Sequence, residues 1–353
     1  MSIQNYGTAA SRNLIRAAQG MLEHAQPITV LGDFGTQREM PKNSTDTLVF
    51  RRTLPFGASA SGTAIEGSNR YVGTPSITAS NFMLAEGVTP SANTISFQDV
   101  SVSLQQYGVL FKYSSKVEQL YEDDIPGEMV KLTGETMAEV MEMVRYGVLK
   151  AGSTVVYSNG TSRAAVNTPI SLNAIRKVAR TLESNRARRV TSRLAPGVNF
   201  GTRAVQPAYI VFVHTDAVSD IRNLPGFTRV EEYGSFKPIH EREVGACEDF
   251  RFIASPLLAP FQAAGASVGS SGMLSVGAAN VDVYPFLVIG EDAWGQVALK
   301  GMQAIKPVVL KASQTSHANP LGQFGYVGAS TWFATVRLND AFMGRIEAGV
   351  TAL

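Results

Sequence analysis

Residues Asn93–Ser115 read NTISFQDVSVSLQQYGVLFKYSS, an alternation of apolar and polar side chains with almost no charge. At about 3.3 Å per residue, twenty extended residues would reach roughly 65 Å. A folded chain of 353 residues has an expected radius of gyration of only about 20 Å. The run must therefore bend, break or leave the body of the molecule. Its alternation also changes phase: Ile95 and Phe97 stand at odd positions, Val100, Val102 and Leu104 at even ones. A period-two element accommodates that switch by a bulge or bend, expected near Gln98–Asp99.

Upstream, TLVFRRTLPF at Thr47–Phe56 reads as a strand, and residues 57–93 between the two runs hold five glycines and two prolines. Pairing Leu48–Leu54 with Ile95–Tyr113 predicts a long hairpin arm. An isolated two-stranded hairpin is marginal in water, so the arm is expected to be stabilised by partner subunits.

The rest of the chain reads as mixed α/β. Ser11 can cap a short helix carrying Leu14, Ile15, Ala18 and Leu22, closed by Pro27. Met129, Leu132, Met137, Val140, Met141, Val144 and Val148 recur at helical spacing and predict a long helix packed on a core. A second helix is capped at Ser171 and uses Leu172, Ile175, Val178, Ala179 and Leu182. AYIVFVHTD, DFRFIASP and VDVYPFLVIG are strand candidates, and Tyr326–Leu338 alternates as a closing strand.

Composition excludes several classes. The 44% hydrophobic content suits a folded protein, while the 17% charged residues fall short of the usual quarter, which suggests surface covered by neighbours. A net charge of +2 gives no support to a dedicated nucleic-acid binder. Cys247 is the only cysteine, so an intrachain disulfide and a CxxC metal site are excluded. No basic segment followed by an apolar run opens the chain, and no window approaches 18 uninterrupted apolar residues.

No constellation carries chemistry sharply. His214, Asp216 and Asp220 in HTDAVSD suggest a metal site, but a metal needs three or four convergent ligands. The structural reading has His214 ending a strand and Asp216 capping a helix. His24, His240 and His317 form no ligand pattern, and Cys247 has no adjacent base. GASVG at Gly265–Gly269 matches the serine-elbow string around Ser267 but lacks the buried strand before it. No catalytic residue, cofactor-binding residue or metal ligand is assigned, and no cofactor is expected. The alternative function is a metal-dependent or carbohydrate-acting hydrolase with a scattered site around His214 and Asp216.

Charge is segregated. Residues 118–142 carry eight acids against Lys131, and residues 176–193 carry seven bases against Glu183. Such patches suit contacts between identical subunits, pairing within the chain, or solvated faces. Arg186, Arg188, Arg189 and Arg193 are candidates to face packaged DNA or another subunit, and the sequence leaves both open.

Three blocks carry a resemblance: KNSTDTLVFRR at Lys42–Arg52, LAEGVTPSANTISFQDVSVSLQQYG at Leu84–Gly108, and LAPGVNFGTRAVQPAYIVFVHTDAVSDIRNLPGFTRVEEYG at Leu194–Gly234, continuing through FKPIHEREVGACEDFRFIASP to Pro256. Over about Thr8 to Leu338 the chain resembles the major capsid proteins of tailed double-stranded DNA phages, in the family typified by the N4-like phages within the Hong Kong 97-type superfamily. The resemblance implies an α/β (α+β mixed) shell fold and no catalysis. Residues 1–45 would be an N-terminal arm, 46–113 an extended loop, 114–204 a peripheral domain with a spine helix at 128–150, 205–317 an axial domain, and 318–353 a return to the peripheral domain. Arg51, Arg52, Ile95, Phe97, Val100, Val102 and Leu104 would form the intersubunit arm. The implied partners are further copies in hexamers and pentamers, enclosed double-stranded DNA, and separate portal, scaffolding and decoration proteins, with no membrane. Assembly would occur in the host cytoplasm. The 53–93 tip holds no lysine, which argues against a loop lysine that crosslinks subunits.

Overall fold

The run that opens at Phe97 divides in two. The structure, a computed structural model, describes residues 21, 29–43, 45–53, 83–84, 86–87, 89, 97–120, 124–152, 154–190, 207–233, 238–269, 271–277, 279–300, 305–315 and 319–353. Strand β3 (Phe97–Ser103) pairs with β2 (Thr47–Thr53) as a two-stranded ribbon. Strand β4 (Gln105–Ser114) leaves the ribbon and pairs antiparallel with β13 (Phe324–Arg337), from Ser114↔Phe324 to Gln105↔Phe333. The expected pairing of Ile95–Tyr113 with Leu48–Leu54 is thus corrected: among the described residues only β3 pairs with β2, and Gln105–Tyr113 pairs with β13 instead. The expected phase break is corrected too. Gln98 and Val100 share the buried side while Phe97 and Asp99 face outward, so alternation runs unbroken past Asp99. The discontinuity falls at Leu104, a buried residue whose N–H donates to the Asp46 carbonyl at 3.1 Å. The apolar Phe97 deceived the phase count because it takes the exposed side.

The chain forms two compact units. One comprises Met1–Leu48, Ser101–Tyr146 and Gly295–Val336, the other Val49–Val100, Gly147–Trp294 and Arg337–Leu353. The first is built on a five-stranded sheet in the order β1 (Thr36–Met40), β11 (Trp294–Leu299), β13, β12 (Lys306–Leu310), with β4 also on β13. After the short α1 (Ser115–Leu120), the chain enters α2 (Ile125–Lys150), 26 residues long and so about 39 Å in length. Asp124 accepts the Gly127 N–H at 3.2 Å, and Pro126 occupies the first turn, where its missing donor costs nothing. One side of α2 presents Met129, Val130, Met137 and Ala138 to Tyr107, Val109, Tyr113, Val327 and Ala329 of the sheet. Leu132, read from its spacing as a core residue, is 49% exposed, because Thr133, Met137 and Ala138 take the covered side.

The second unit holds a seven-stranded sheet, in the order β5 (Val155–Tyr157), β14 (Met343–Ala348), β10 (Tyr284–Ile289), β6 (Tyr209–His214), β9 (Phe250–Ser255), β8 (Glu243–Cys247), β7 (Phe227–Arg229). The expected strand in AYIVFVHTD is β6, parallel to β9 and antiparallel to β10. As a central strand it is buried on both faces, hence its unbroken apolar run. Helix α3 (Leu172–Ser184) starts where Ser171 Oγ accepts the Ala174 N–H at 3.3 Å. Its Ala174, Ile175, Val178 and Leu182 pack with Tyr209, Val211, Phe250, Phe286, Val288 and Ile346 in one core. A short α4 (Val218–Arg222) follows β6. The Ser11 helix lies outside the described residues.

Candidate functional site: the ribbon and the basic helix

Alternation gives the β2–β3 ribbon two faces. Phe50, Gln98 and Val100 are buried on one; Arg52 and Val102 on that side are half-buried. The other carries Val49, 47% exposed, and Phe97, 53% exposed. Between them Arg51 grips Asp99 across the strands, Nε to Oδ1 at 2.7 Å and Nη2 to Oδ2 at 2.8 Å, while its guanidinium lies 5.7 Å above the Phe97 ring. The hydrogen bond from Arg51 holds the Asp99 carboxyl below its ordinary range. On the buried side, Arg52 Nε donates to Gln98 Oε1 at 2.8 Å, and Nη2 donates to the same oxygen. That amide brings no charge, so burial pushes the Arg52 guanidinium down. The structure therefore brings Val100 together with Phe50, sets Phe97 apart with Val49, and buries Leu104. Ile95 lies outside the described residues. Sequence reasoning missed Gln98 and Asp99 as cross-strand partners of the two arginines; an arginine pair facing an acid and an amide was the available signal.

A second exposed apolar surface was also missed. On β4, Tyr107, Val109 and Tyr113 face α2, so Leu110 and Lys112 point to the other side of the sheet. Leu110 is 63% exposed opposite Gly328, with Leu310 and Phe324 exposed on the neighbouring strands. Lys112 Nζ sits 3.7 Å from the Phe324 ring centroid. The helical and strand patterns were legible, but which side would be left open depends on where α2 packs.

The basic segment is partly neutralised within its own unit. Arg176 Nε donates to Glu248 Oε1 at 2.8 Å, and Arg189 Nη2 reaches Asp249 Oδ2 at 2.8 Å and Glu183 Oε1 at 3.2 Å. Lys177, Arg180, Arg186 and Arg188 are exposed. Arg186 adopts φ 57° after α3, where its N–H bonds the Glu183 carbonyl at 2.9 Å and the Ala187 N–H bonds the Leu182 carbonyl at 2.9 Å. This is a Schellman ending. Arg193 lies outside the described residues.

The polar groups around His214 are engaged in holding loops. His214 Nδ1 accepts the Asp216 N–H at 3.1 Å, and Asp216 Oδ2 accepts the Tyr284 hydroxyl at 2.8 Å. Burial, then that carboxylate, pushes the Tyr284 hydroxyl far up. Asp220 accepts both the N–H and the hydroxyl of Thr351, at 2.9 and 2.7 Å. His240 Nδ1 accepts the Arg242 N–H at 3.0 Å. Cys247 is buried, and burial pushes its thiol up. Among the described residues, no group of three His, Cys, Asp or Glu side chains is placed to hold a metal ion; His24 and His317 lie outside them.

No family model matches the chain. A major capsid protein of Pseudomonas phage KPP21 is 24% identical over 338 residues, covering 86% of this chain and 82% of that protein. Among solved structures, the capsid of Ralstonia phage GP4 superposes with a TM-score of 0.60 at 12% identity, over 89% of this chain and 87% of that one. The capsid of cyanophage P-SCSP1u gives 0.55 at 13% identity over 92% and 89%. The head of Helicobacter pylori bacteriophage KHP40 gives 0.54 at 11% identity over 89% and 87%. These likenesses establish a shared fold along nearly the whole chain.

Proposed function

We propose that this chain, which has the Hong Kong 97-type shell fold, is the major capsid protein of a tailed double-stranded DNA bacteriophage. It is structural and non-catalytic: copies assemble as hexamers and pentamers into an icosahedral head that encloses the genome. The alignment with a phage major capsid protein over 86% of the chain, on a matching fold, carries this reading. The polar groups around His214 and Asp216 are taken up by backbone and Tyr284, which disfavours the hydrolase alternative.

Residues 1–45 serve as an arm, 46–113 as an extended loop, 114–204 with 318–353 as a peripheral domain, and 205–317 as an axial domain. The exposed Val49, Arg51 and Phe97 side of the ribbon lies on a neighbouring copy, where apolar burial is worth about 25 cal/mol per Å² before ordering costs. Repetition around a closed shell turns modest contacts into a durable container. Arg186 and Arg188 face either DNA phosphates or a neighbouring copy. Portal, scaffolding and decoration proteins are separate chains, and assembly takes place in the host cytoplasm.

Electron microscopy of the purified protein tests the reading. Closed polyhedral particles are expected. A uniform small species at all concentrations, with hydrolytic activity, would overturn it.

A further inference from the structure

One face of the first unit's sheet is left open. Helix α2 covers the side that carries Val109, Tyr113, Val327 and Ala329. The opposite side presents Leu110 and Lys112 from β4, Phe324 and Tyr326 from β13, and Lys306 and Leu310 from β12. Leu110, Leu310 and Phe324 are exposed there. Gly328 stands opposite Leu110, and a Cβ at that glycine would meet Leu110 Cδ1 at 2.8 Å, so the leucine lies across the glycine. Lys112 Nζ sits 3.7 Å from the Phe324 ring centroid and 5.9 Å from that of Tyr326. Strands β4, β12 and β13 contain no aspartate or glutamate, so the face is apolar and its formal charge is positive only.

A complementary surface stands in the second unit. Met83 is 80% exposed and Leu84 77%. Glu86 is exposed two residues on, before Gly87, whose φ of 77° turns the chain. A single exposed apolar side chain is ordinary, but two large ones in succession mark a contact surface. Apolar bulk beside a carboxylate matches an apolar face framed by lysines. Each copy carries both surfaces exposed. Two different patches that fit one another join copies head to tail, the arrangement that closes rings.

We propose that Met83, Leu84 and Glu86 of one copy dock on the open β4–β13–β12 face of the next. Met83 and Leu84 lie against Leu110, Leu310 and Phe324, and Glu86 lies beside Lys112. The contact rests on the shell reading above and specifies which surface of the neighbour receives the loop.

Charge reversal in the full chain tests the contact. Glu86→Lys and Lys112→Glu should each lower particle yield in sedimentation about fivefold or more, and the double variant should restore most of it, because the pair is rebuilt with its signs exchanged. Both residues are exposed, so the circular dichroism melt of unassembled protein should not move. Unchanged yield in both single variants, or no recovery in the double variant, would overturn the contact. Loss in Lys112→Glu with none in Glu86→Lys would overturn it too, and would give the sheet face to a separate acidic protein. A second measurement does not depend on charge. Leu84→Cys and Leu110→Cys chains, co-expressed and treated with a short bismaleimide, should give a dimer band that neither gives alone, since Cys247 is buried. Absence of that band would again overturn the contact. Particles from the unaltered chain, with the variants indifferent, would remove this contact only. No particles from the unaltered chain would remove the shell reading and the contact with it.

Discussion

Glu142 and Arg145 stand one turn apart on α2 as a buried ion pair of 2.8 Å, and through it the helix holds the backbone of residues 30–32. Glu142 Oε1 accepts the Val30 N–H at 3.2 Å and the Gly32 N–H at 3.4 Å; Oε2 accepts the Leu31 N–H at 3.1 Å. Arg145 Nε donates to Gln296 Oε1 at 3.1 Å, and Gln296 Nε2 donates to the Gly32 carbonyl at 2.7 Å, closing the loop of bonds. Burial pushes the Glu142 carboxyl above its ordinary range and the Arg145 guanidinium below its own, each against the pull of the other.

Removing one partner of this pair leaves the other buried and unpaired. Glu142→Ala is expected to destabilise the first unit by about 3–5 kcal/mol, as is Arg145→Ala. Removing both should cost clearly less than the sum. Denaturant midpoints measure it, and single-variant losses under about 1 kcal/mol would show that the pair is solvated.

The two faces of the ribbon respond differently to aspartate. Phe97→Asp alters an exposed residue and should reduce particle yield in sedimentation while leaving the circular dichroism melt of unassembled protein unchanged. Val100→Asp places a charge on the buried face and should cost several kcal/mol, on the order of 3 or more, before assembly is reached. Equal melting losses in both variants would contradict the assignment of faces.

Acid should loosen the ribbon. The Asp99 carboxyl is held below its ordinary value by Arg51, so the pairing contributes fully above the unfolded-state value. It is lost as pH falls through the lower, folded one. Carbon-detected titration of Asp99 should report a midpoint below the ordinary aspartate range, restored to that range in Arg51→Gln. An Asp99 midpoint that does not move in that variant would refute the coupling.

In the basic segment Arg186 and Arg188 are exposed, while Arg189 is half-buried on Asp249 and Glu183. If Arg186 and Arg188 contact phosphate, their joint change to Ala should lower the salt dependence of DNA retention by roughly one unit per lost contact. Arg189→Ala, whose side chain already holds Asp249 and Glu183, should leave DNA retention unchanged and cost only about 0.5 kcal/mol of stability. Genome retention and particle yield unchanged in the Arg186/Arg188 double variant would remove both roles.

Local spacing made much of this legible. The cap at Ser171, the unbroken apolar run of β6 and the alternation of β13 needed only neighbours a few residues away. The acids of residues 118–142 read as one surface, yet Glu142 is buried because residues 30–32, far back in the chain, bring unsatisfied N–H groups to it. Leu132 reads as core by type and spacing, and it is exposed.

The sequence was enough to mark the long helix, the Ser171-capped helix and the apolar strand runs, since those preferences come from side-chain period and backbone chemistry within a turn or two. Tertiary structure alone decided that β4 leaves the ribbon for β13, which face of each sheet stays open, and that Arg163 and Arg345 share the buried Glu347. Such choices depend on groups brought together from distant parts of the chain, and neither periodicity nor composition encodes which distant group arrives.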